Sequence, residues 1–389
     1  MVQTRAAGGA IPQKATPGLC CTTARGDSKS GYARPNSAPD PPSCSRRSRL
    51  RPLVRRRLAD TQRAPHRQLR TIHALANQRG PATVINTATR LPAATWRDYL
   101  TLTKPKVISL LLFTAVCPMF IAARGLPPWL PLLGVLVGGY MATGGAGVFN
   151  MVLDRDIDGQ MRRTSKRPLV TGVISVRNAV IFGLLLSVGS FLILWLTANL
   201  LTALLAWFGL LYYVIVYTAW LKRTTWQNIV IGGAAGSVMP LLGWAAVTNG
   251  LDWMAGLLFA LIFLWTPVHF WALAFLVKEQ YEAVGIPMAP AVLGSRRTLQ
   301  QMLVYAALTI LVSLAPFAID EAGWLYSGVA VLLNLLLFRK VVKLYRQVGE
   351  GQEVGRTDAL DLYKYSMLYL ALIFLVLVAD RTLITILPI

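Results

Sequence analysis

The chain has 389 residues, 54% of them apolar and only 14% charged, with 39 Lys or Arg against 17 Asp or Glu for a net charge of +22. So apolar a composition excludes an ordinary soluble enzyme and points to a chain that lives in a lipid bilayer. The basic excess does not indicate nucleic-acid binding, because it is concentrated in a segment with no fold to present it.

That segment is residues 1–95, which carry 17 Lys or Arg against Asp27, Asp40 and Asp60 and so contribute +14 of the net charge. Arg, Ser, Ala and Pro dominate it and no apolar periodicity runs through it, so it is expected to be a disordered basic extension. Three readings stand side by side: an Arg-rich organellar transit peptide, a basic tail lying on anionic lipid, or a stretch without a role read from an upstream start. Cys20, Cys21 and Cys44 lie in this tail and Cys117 is alone in an apolar run, so no metal-ligand spacing or disulfide framework follows.

From residue 96 onward the chain reads as one all-α membrane domain. Apolar runs of about 20 residues, the length that crosses a bilayer as a helix, recur at about 106–123, 129–151, 177–196, 198–219, 227–247, 252–277, 299–318, 323–341 and 364–385. Basic residues alternate with these nine spans. With the N-terminus inside, the inner loops hold Arg155, Arg162, Arg163, Lys166, Arg167, Arg177, Lys222, Arg223, Lys278, Arg296, Arg297 and the cluster Arg339–Lys364. The outer segments hold only Arg124 and Arg381.

The second span ends in FNMVLDRDIDGQMRRTSKRPL. Asn150, Asp154 and Asp158 are spaced i, i+4, i+8 and therefore form one stripe on a helix, with Asp156 nearby. Acids at the edge of a span are costly and mark function more often than packing. Two carboxylates one turn apart repel unless a cation lies between them. Arg162, Arg163, Lys166 and Arg167 follow directly. Oxygen ligands for a divalent cation beside a basic cluster suit a diphosphate bridged by Mg²⁺, which shares its oxygen ligands with substrate phosphates. The alternative is that the acids only cap helix ends or pair with the neighbouring Arg.

Two further groups are expected at the same side. Tyr217, Lys222, Arg223 and Asn228 lie between spans 4 and 5, where the two cations are either site residues or positive-inside anchors. Gly232, Gly233 and Gly236 follow, allowing close helix approach or leaving room for a flat ligand. Span 6, LLFALIFLWTPVHFWALAFLVKEQY, ends in Lys278, Glu279 and Glu282, a second acidic group. His269 is the only histidine outside the tail and sits two residues after Pro267, among Trp265, Phe270 and Trp271. It is either a buried histidine bonded to a backbone carbonyl freed at the proline or a ligand to a substrate metal or carboxylate.

With these residues in view, the chain resembles a known family. The patterns N-x-x-x-D-x-D-x-D with R-P-L, Y-T-x-x-L-K-R-x-T-x-x-N-I-V-I-G-G, W-T-P-x-H-F-W and G-I-P-M are similar to those of the haem-farnesylating branch of the UbiA-type intramembrane prenyltransferases, over about residues 97–386. The resemblance implies a nine-helix bundle around a central cavity and transfer of farnesyl from farnesyl diphosphate to a vinyl group of protohaem IX, giving haem O. It places Asn150, Asp154 and Asp158 on the first aspartate motif, Arg162, Lys166 and Lys222 as basic partners, and Glu279 on the second motif. Mg²⁺ would be the metal, with Asn150, Asp154, Asp158 and Glu279 as its ligands. Tyr217, Trp265, Phe270 and Trp271 would wall the carbocation, and Arg223 and His269 would contact substrate. Two positions depart from the family pattern: Gln280 stands where an acid usually precedes the tyrosine, and Met239 where a proline often precedes Pro240. The lipid bilayer and a downstream haem A synthase are the implied partners, in a bacterial plasma membrane with the N-terminus cytoplasmic; a mitochondrial inner membrane is the alternative. A UbiA-type enzyme acting on an aromatic or quinone precursor would share the aspartate motif without needing His269. A transporter would carry its acids near the midplane instead.

Overall fold

The computed structural model describes residues 93–349 and 351–386. The basic extension expected over 1–95 lies, apart from its last three residues, outside the described residues. Among those described there is no strand, and nine helices are long and apolar enough to cross a membrane. The chain is a multi-pass membrane protein.

A short helix comes first. α1 (Trp96–Thr103) starts at a capping box in which Thr95 and the Asp98 carboxylate satisfy each other's neighbouring N–H groups. The spans follow as α2 (Pro105–Ala123), α3 (Trp129–Leu153), α4 (Val176–Thr197), α5 (Leu200–Thr224), α6 (Asn228–Thr248), α7 (Trp253–Leu276), α8 (Gly294–Ala318), α9 (Trp324–Gln347) and α10 (Arg356–Ile386). Each apolar run expected from the sequence forms one of these helices. α9 and α10 extend beyond their apolar runs. There Lys340 pairs with Asp361 at 2.5 Å and Lys343 with Asp358 at 3.5 Å, so the polar ends of the two helices zip together outside the hydrophobic stretch.

Helices in lipid gain little from the hydrophobic effect and associate through close packing of small residues. α3 carries Gly138, Gly144, Gly145 and Gly147 buried within it and makes its most extensive contact with α4. Ser190 of α4 donates to the Gly138 carbonyl at 2.8 Å, a contact that the missing side chain permits. α6 meets α2 more closely still: a Cβ at Gly243 would lie 1.8 Å from the Ala115 carbonyl oxygen. A polar chain pins the other half of the bundle. Tyr369 donates to Asn334 at 2.8 Å, Asn334 to the Ser313 hydroxyl at 2.8 Å, and Tyr326 to the Ser313 carbonyl at 2.5 Å, joining α8, α9 and α10. α2, α3, α5, α6, α7 and α10 line an open cavity of about 340 Å³.

Candidate active site

The stripe expected at 150, 154 and 158 is present. α3 ends at Leu153, and a single helical turn, Arg155–Asp158, continues its path, with Asp154 N–H bonded to the Asn150 carbonyl at 2.9 Å and Asp158 N–H to the Asp154 carbonyl at 2.8 Å. The i, i+4 register therefore survives the helix end. All three side chains are buried, Asp154 at 1% exposure and Asp158 at 3%. The Asn150 amide donates to Asp154 Oδ2 at 2.8 Å and to the Thr218 hydroxyl at 3.2 Å, so α3 is bound to α5 through the motif itself.

Buried carboxylates require cations, and two basic side chains pair with them while a third bonds to Asn150, each from a different element. Lys222 Nζ lies 2.5 Å from Asp154 Oδ2. Arg167 pairs with Asp158, brought back by the turns of the 159–175 loop, where the Thr164 hydroxyl donates to the Asp158 carbonyl at 2.9 Å. Lys104, at the junction of α1 and α2, donates to Asn150 Oδ1 at 2.6 Å. It adopts φ 62, and the left-handed turn aims its side chain inward instead of letting α1 run on into α2. Burial, with the positive charges of Arg167 and Lys222 adding to it, brings the Lys104 ammonium down to about 7. Arg223 grips the exposed Asp156 with both guanidinium nitrogens at 2.7 Å and donates to the Leu153 carbonyl at 2.9 Å. That hydrogen bond holds the Asp156 carboxyl below its usual range.

The segment that delivers Tyr217 and Lys222 is a π-helix, Tyr212–Leu221, inside α5. The Lys222 N–H reaches back to the Tyr217 carbonyl, and the Thr218 hydroxyl to that of Tyr213 at 2.9 Å. Such wider turns are rare and are found most often at functional positions. Tyr213 and Tyr217 stack with centroids 5.3 Å apart, and Tyr217 lies over Gly232, where a Cβ would come 2.3 Å from its ring. Gly232 is thus needed for the position of Tyr217. Gly236 meets only the far end of Leu111 at 3.9 Å and leaves open space.

The cavity begins at this cluster. Thr103 and Lys104 form its rim, Tyr213, Tyr217, Gly232, Gly233 and Gly236 one wall, and Trp265, Thr266, His269 and Phe270 of α7 another. His269 lies between two rings, stacked on Trp265 at 4.4 Å and on Tyr363 at 4.8 Å. Its Nδ1 is 2.8 Å from the Ser366 hydroxyl on α10, not bonded to a carbonyl freed at Pro267.

Other expected residues lie elsewhere. Arg162 and Lys166 are exposed and pair with no acid among the described residues, while Arg167, directly after Lys166, holds Asp158. Trp271 is fully buried against Trp226 and Tyr305 and does not line the cavity; on α7 its neighbour Phe270 does. Glu279 is exposed on the short helix Lys278–Ala283 and, among the described residues, has no hydrogen bond or ion pair, whereas Gln280 carries a buried side-chain oxygen with no partner among them. Asn228 ties the G-I-P-M loop to α6 through the Pro287 carbonyl at 3.1 Å. Sequence reasoning missed Lys104, Thr218, Tyr213 and Ser366. Lys104 had one signal, a basic residue before a proline at the start of a span, but that reads equally as an anchor.

Asn150, Asp154 and Asp158 offer hard oxygen donors that suit Mg²⁺. Asp154 Oδ1 is buried and accepts no hydrogen bond, so one lone-pair site of the motif remains to be used. Among the described residues no three His, Cys, Asp or Glu side chains converge, so a cation here would complete its shell with oxygens from outside the protein.

If the Asp154–Lys222 pair is a coupled buried ion pair, Asp154→Asn and Lys222→Met should each destabilise the protein, by roughly 3 kcal/mol. The double variant should recover much of the loss. Reversible unfolding of all four proteins in mixed micelles gives the coupling, and additive losses would show the pair to be independent.

Comparisons with known proteins bear on the family and the fold. The UbiA prenyltransferase family profile matches residues 110–354. Protoheme IX farnesyltransferase of Deinococcus radiodurans is 55% identical over 295 residues, 74% of this chain and 94% of that protein. The Thermus thermophilus protein of the same name is 56% identical over 288 residues, again 74% of this chain. The chain spans about half of that Thermus relative's length, 46%. In fold, a digeranylgeranylglyceryl phosphate synthase superposes with a TM-score of 0.62 at 18% identity, over 74% of this chain and 98% of that one. A UbiA homologue from Archaeoglobus fulgidus, solved with DMAPP and Mg²⁺, superposes with a TM-score of 0.54 at 18% identity, over 72% of this chain and 99% of that one. The profile match and the 55% identity to a relative covered almost end to end show that this chain belongs to the UbiA prenyltransferase family.

Proposed function

We propose that this protein transfers the farnesyl group of farnesyl diphosphate to a vinyl group of protohaem IX, giving haem O and diphosphate. One observation carries the reading: a carboxylate cluster paired with Lys222 and Arg167, with Lys104 beside it, stands at one end of an apolar, aromatic cavity whose wall holds a single imidazole. A polar rim suits the diphosphate, and the apolar interior suits the prenyl chain and the porphyrin. The relatives named protoheme IX farnesyltransferase support the choice of acceptor.

Asn150, Asp154 and Asp158 are the residues that would hold Mg²⁺, with Glu279 as the carboxylate of the second motif, and the cation would neutralise charge developing on the leaving diphosphate. Lys222 and Arg167 bring positive charge to the same rim, Lys104 adds a hydrogen-bond donor there, and Arg162 and Lys166 on the exposed loop draw the anion toward it. As the allylic C–O bond breaks, its electron pair leaves with the diphosphate. Tyr217, Trp265 and Phe270 line the space where the farnesyl cation forms, and their ring faces stabilise it while the apolar walls keep water away. The vinyl π electrons then form the new C–C bond. Water adds to the resulting cation and gives up a proton, leaving a hydroxyl. His269 offers a nitrogen to the haem iron from the cavity wall and so orients the porphyrin.

The protein would act in a bacterial plasma membrane with its N-terminus cytoplasmic, as the distribution of Lys and Arg between the loops supports. A haem A synthase that consumes haem O is its natural downstream partner. An aromatic or quinone precursor is the competing acceptor.

Two outcomes test the assignment. Asp158→Asn should abolish turnover in a protein that remains folded in the membrane, a barrier increase of several kcal/mol; activity within a few fold of the parent would remove Asp158 from the metal site. His269→Ala should weaken protohaem binding and turnover while leaving farnesyl diphosphate affinity little changed, measured by titrating each substrate separately. Unaltered haem affinity would return His269 to a packing role.

A further inference from the structure

The side chain of His269 is one of two on α7 that meet the same residue of α10. Trp265 Nε1 donates to the Ser366 carbonyl at 2.9 Å, and His269 Nδ1 lies 2.8 Å from the Ser366 hydroxyl. Ser366 is fully buried, and its hydroxyl also lies 2.8 Å from the Tyr363 carbonyl one turn earlier. The Tyr363 ring in turn stacks on the imidazole. Four groups thus fix the ring: Trp265 and Tyr363 hold its faces, and the Ser366 hydroxyl and Tyr363 carbonyl form a relay at its Nδ1 edge.

Proton accounting decides how that relay runs. A serine hydroxyl has one proton to donate and two lone pairs to accept with. The Tyr363 carbonyl can only accept, so it takes the hydroxyl proton. The remaining contact is a hydrogen bond only if His269 Nδ1 carries a proton and donates it to Ser366. The relay is therefore Nδ1–H to Oγ–H to the carbonyl. Its consequence lies on the other side of the ring. A neutral imidazole protonated at Nδ1 has a free electron pair at Nε2. Among the described residues Nε2 has no hydrogen-bond partner, and His269, 8% exposed, lines the cavity.

We infer that Ser366 is a positioning residue: its hydroxyl locks His269 in the Nδ1–H tautomer, so that Nε2 is presented to the cavity as an electron-pair donor for the metal of a flat metalloporphyrin. Histidines that ligate metals commonly donate their second ring N–H to an oxygen acceptor, which sets the ring's orientation and raises the basicity of the ligating nitrogen. Here the acceptor comes from another helix, so the ligand geometry is also a bond between α7 and α10. The inference rests on the haem reading of the cavity and deepens it by naming what sets the ligand.

Ser366→Thr and Ser366→Val provide the test, because the two side chains are nearly isosteric and only threonine keeps the hydroxyl. Each purified full-length variant is titrated with ferric protohaem, and the Soret and ligand-field bands of the complex are recorded together with farnesyl diphosphate affinity. Ser366→Thr should bind protohaem with the parent's spectrum. Ser366→Val should lose about tenfold or more in haem affinity and show an altered axial-ligand spectrum, with farnesyl diphosphate affinity unchanged. If Ser366→Val matches the parent, or if both variants are weakened alike, Ser366 does not act through the tautomer and the inference is overturned. Should Ser366→Val fail to fold, Ser366→Ala, smaller and equally unable to accept the proton, carries the same expectation. His269→Ala in the same titration separates the two levels. Normal haem binding by His269→Ala defeats the underlying reading, whereas its loss beside a normal Ser366→Val defeats this inference alone.

Discussion

The buried negative charge at the end of α3 governs the rest of the site. Asp154, 1% exposed, is a carboxylate placed where water cannot reach it, and Lys222 supplies the counter-charge at 2.5 Å. That demand fixes α5 against α3 at one end of the bundle, and the Asn150–Thr218 bond at 3.2 Å repeats the constraint. The π-helical turn follows from it. Winding Tyr212–Leu221 more widely lets α5 present Lys222 to the acid and Tyr217 to the cavity from the same segment, and Gly232 opposite removes the side chain that would block the ring. The electrostatic cluster and the aromatic wall are two consequences of one packing solution.

The bundle then divides its chemistry by depth. Charge is gathered at the rim, where Lys104, Lys222 and Arg167 come from three separate elements. The interior carries rings and small residues, and hydroxyls there bond within the protein: Thr266 to the Ile262 carbonyl at 2.7 Å, Ser237 to that of Gly233 at 3.0 Å. His269 differs in that one of its nitrogens is satisfied by α10 while the residue lines the cavity. The proposed reaction suits such a division, because the basic groups that favour the leaving diphosphate would repel the allylic cation if they shared its space, whereas the ring faces attract it.

Much of this was legible in the sequence. Runs of about 20 apolar residues leave few alternatives to a membrane helix, and all nine expected spans appear. The i, i+4, i+8 spacing predicted the stripe correctly because helical register carries through the break at Asp154. What escaped was decided by contacts distant in the chain or by loop geometry. Four basic residues follow the motif, and nothing in their order shows that Arg167, not Arg162 or Lys166, turns back onto Asp158; the turns of the loop decide it. α1 is too short for apolar periodicity, and only the Thr95–Asp98 capping box marks it. A π-helix has no composition of its own. Trp271 and Phe270 are adjacent aromatics on one helix, and only the packing of α7 on α8 shows which one is buried away from the cavity. Ser366 is 97 residues from its histidine and carries no local signal.

The identity of the acceptor is open to a competition experiment. The full-length protein in lipid nanodiscs is given farnesyl diphosphate, Mg²⁺ and an equal mixture of protohaem IX and a hydroxylated aromatic acid, and the products are separated and identified by mass spectrometry. The account predicts a farnesylated, hydroxylated haem formed with an equal amount of diphosphate, and an unchanged aromatic acid. Recovery of intact protohaem alongside a prenylated aromatic acid would contradict it.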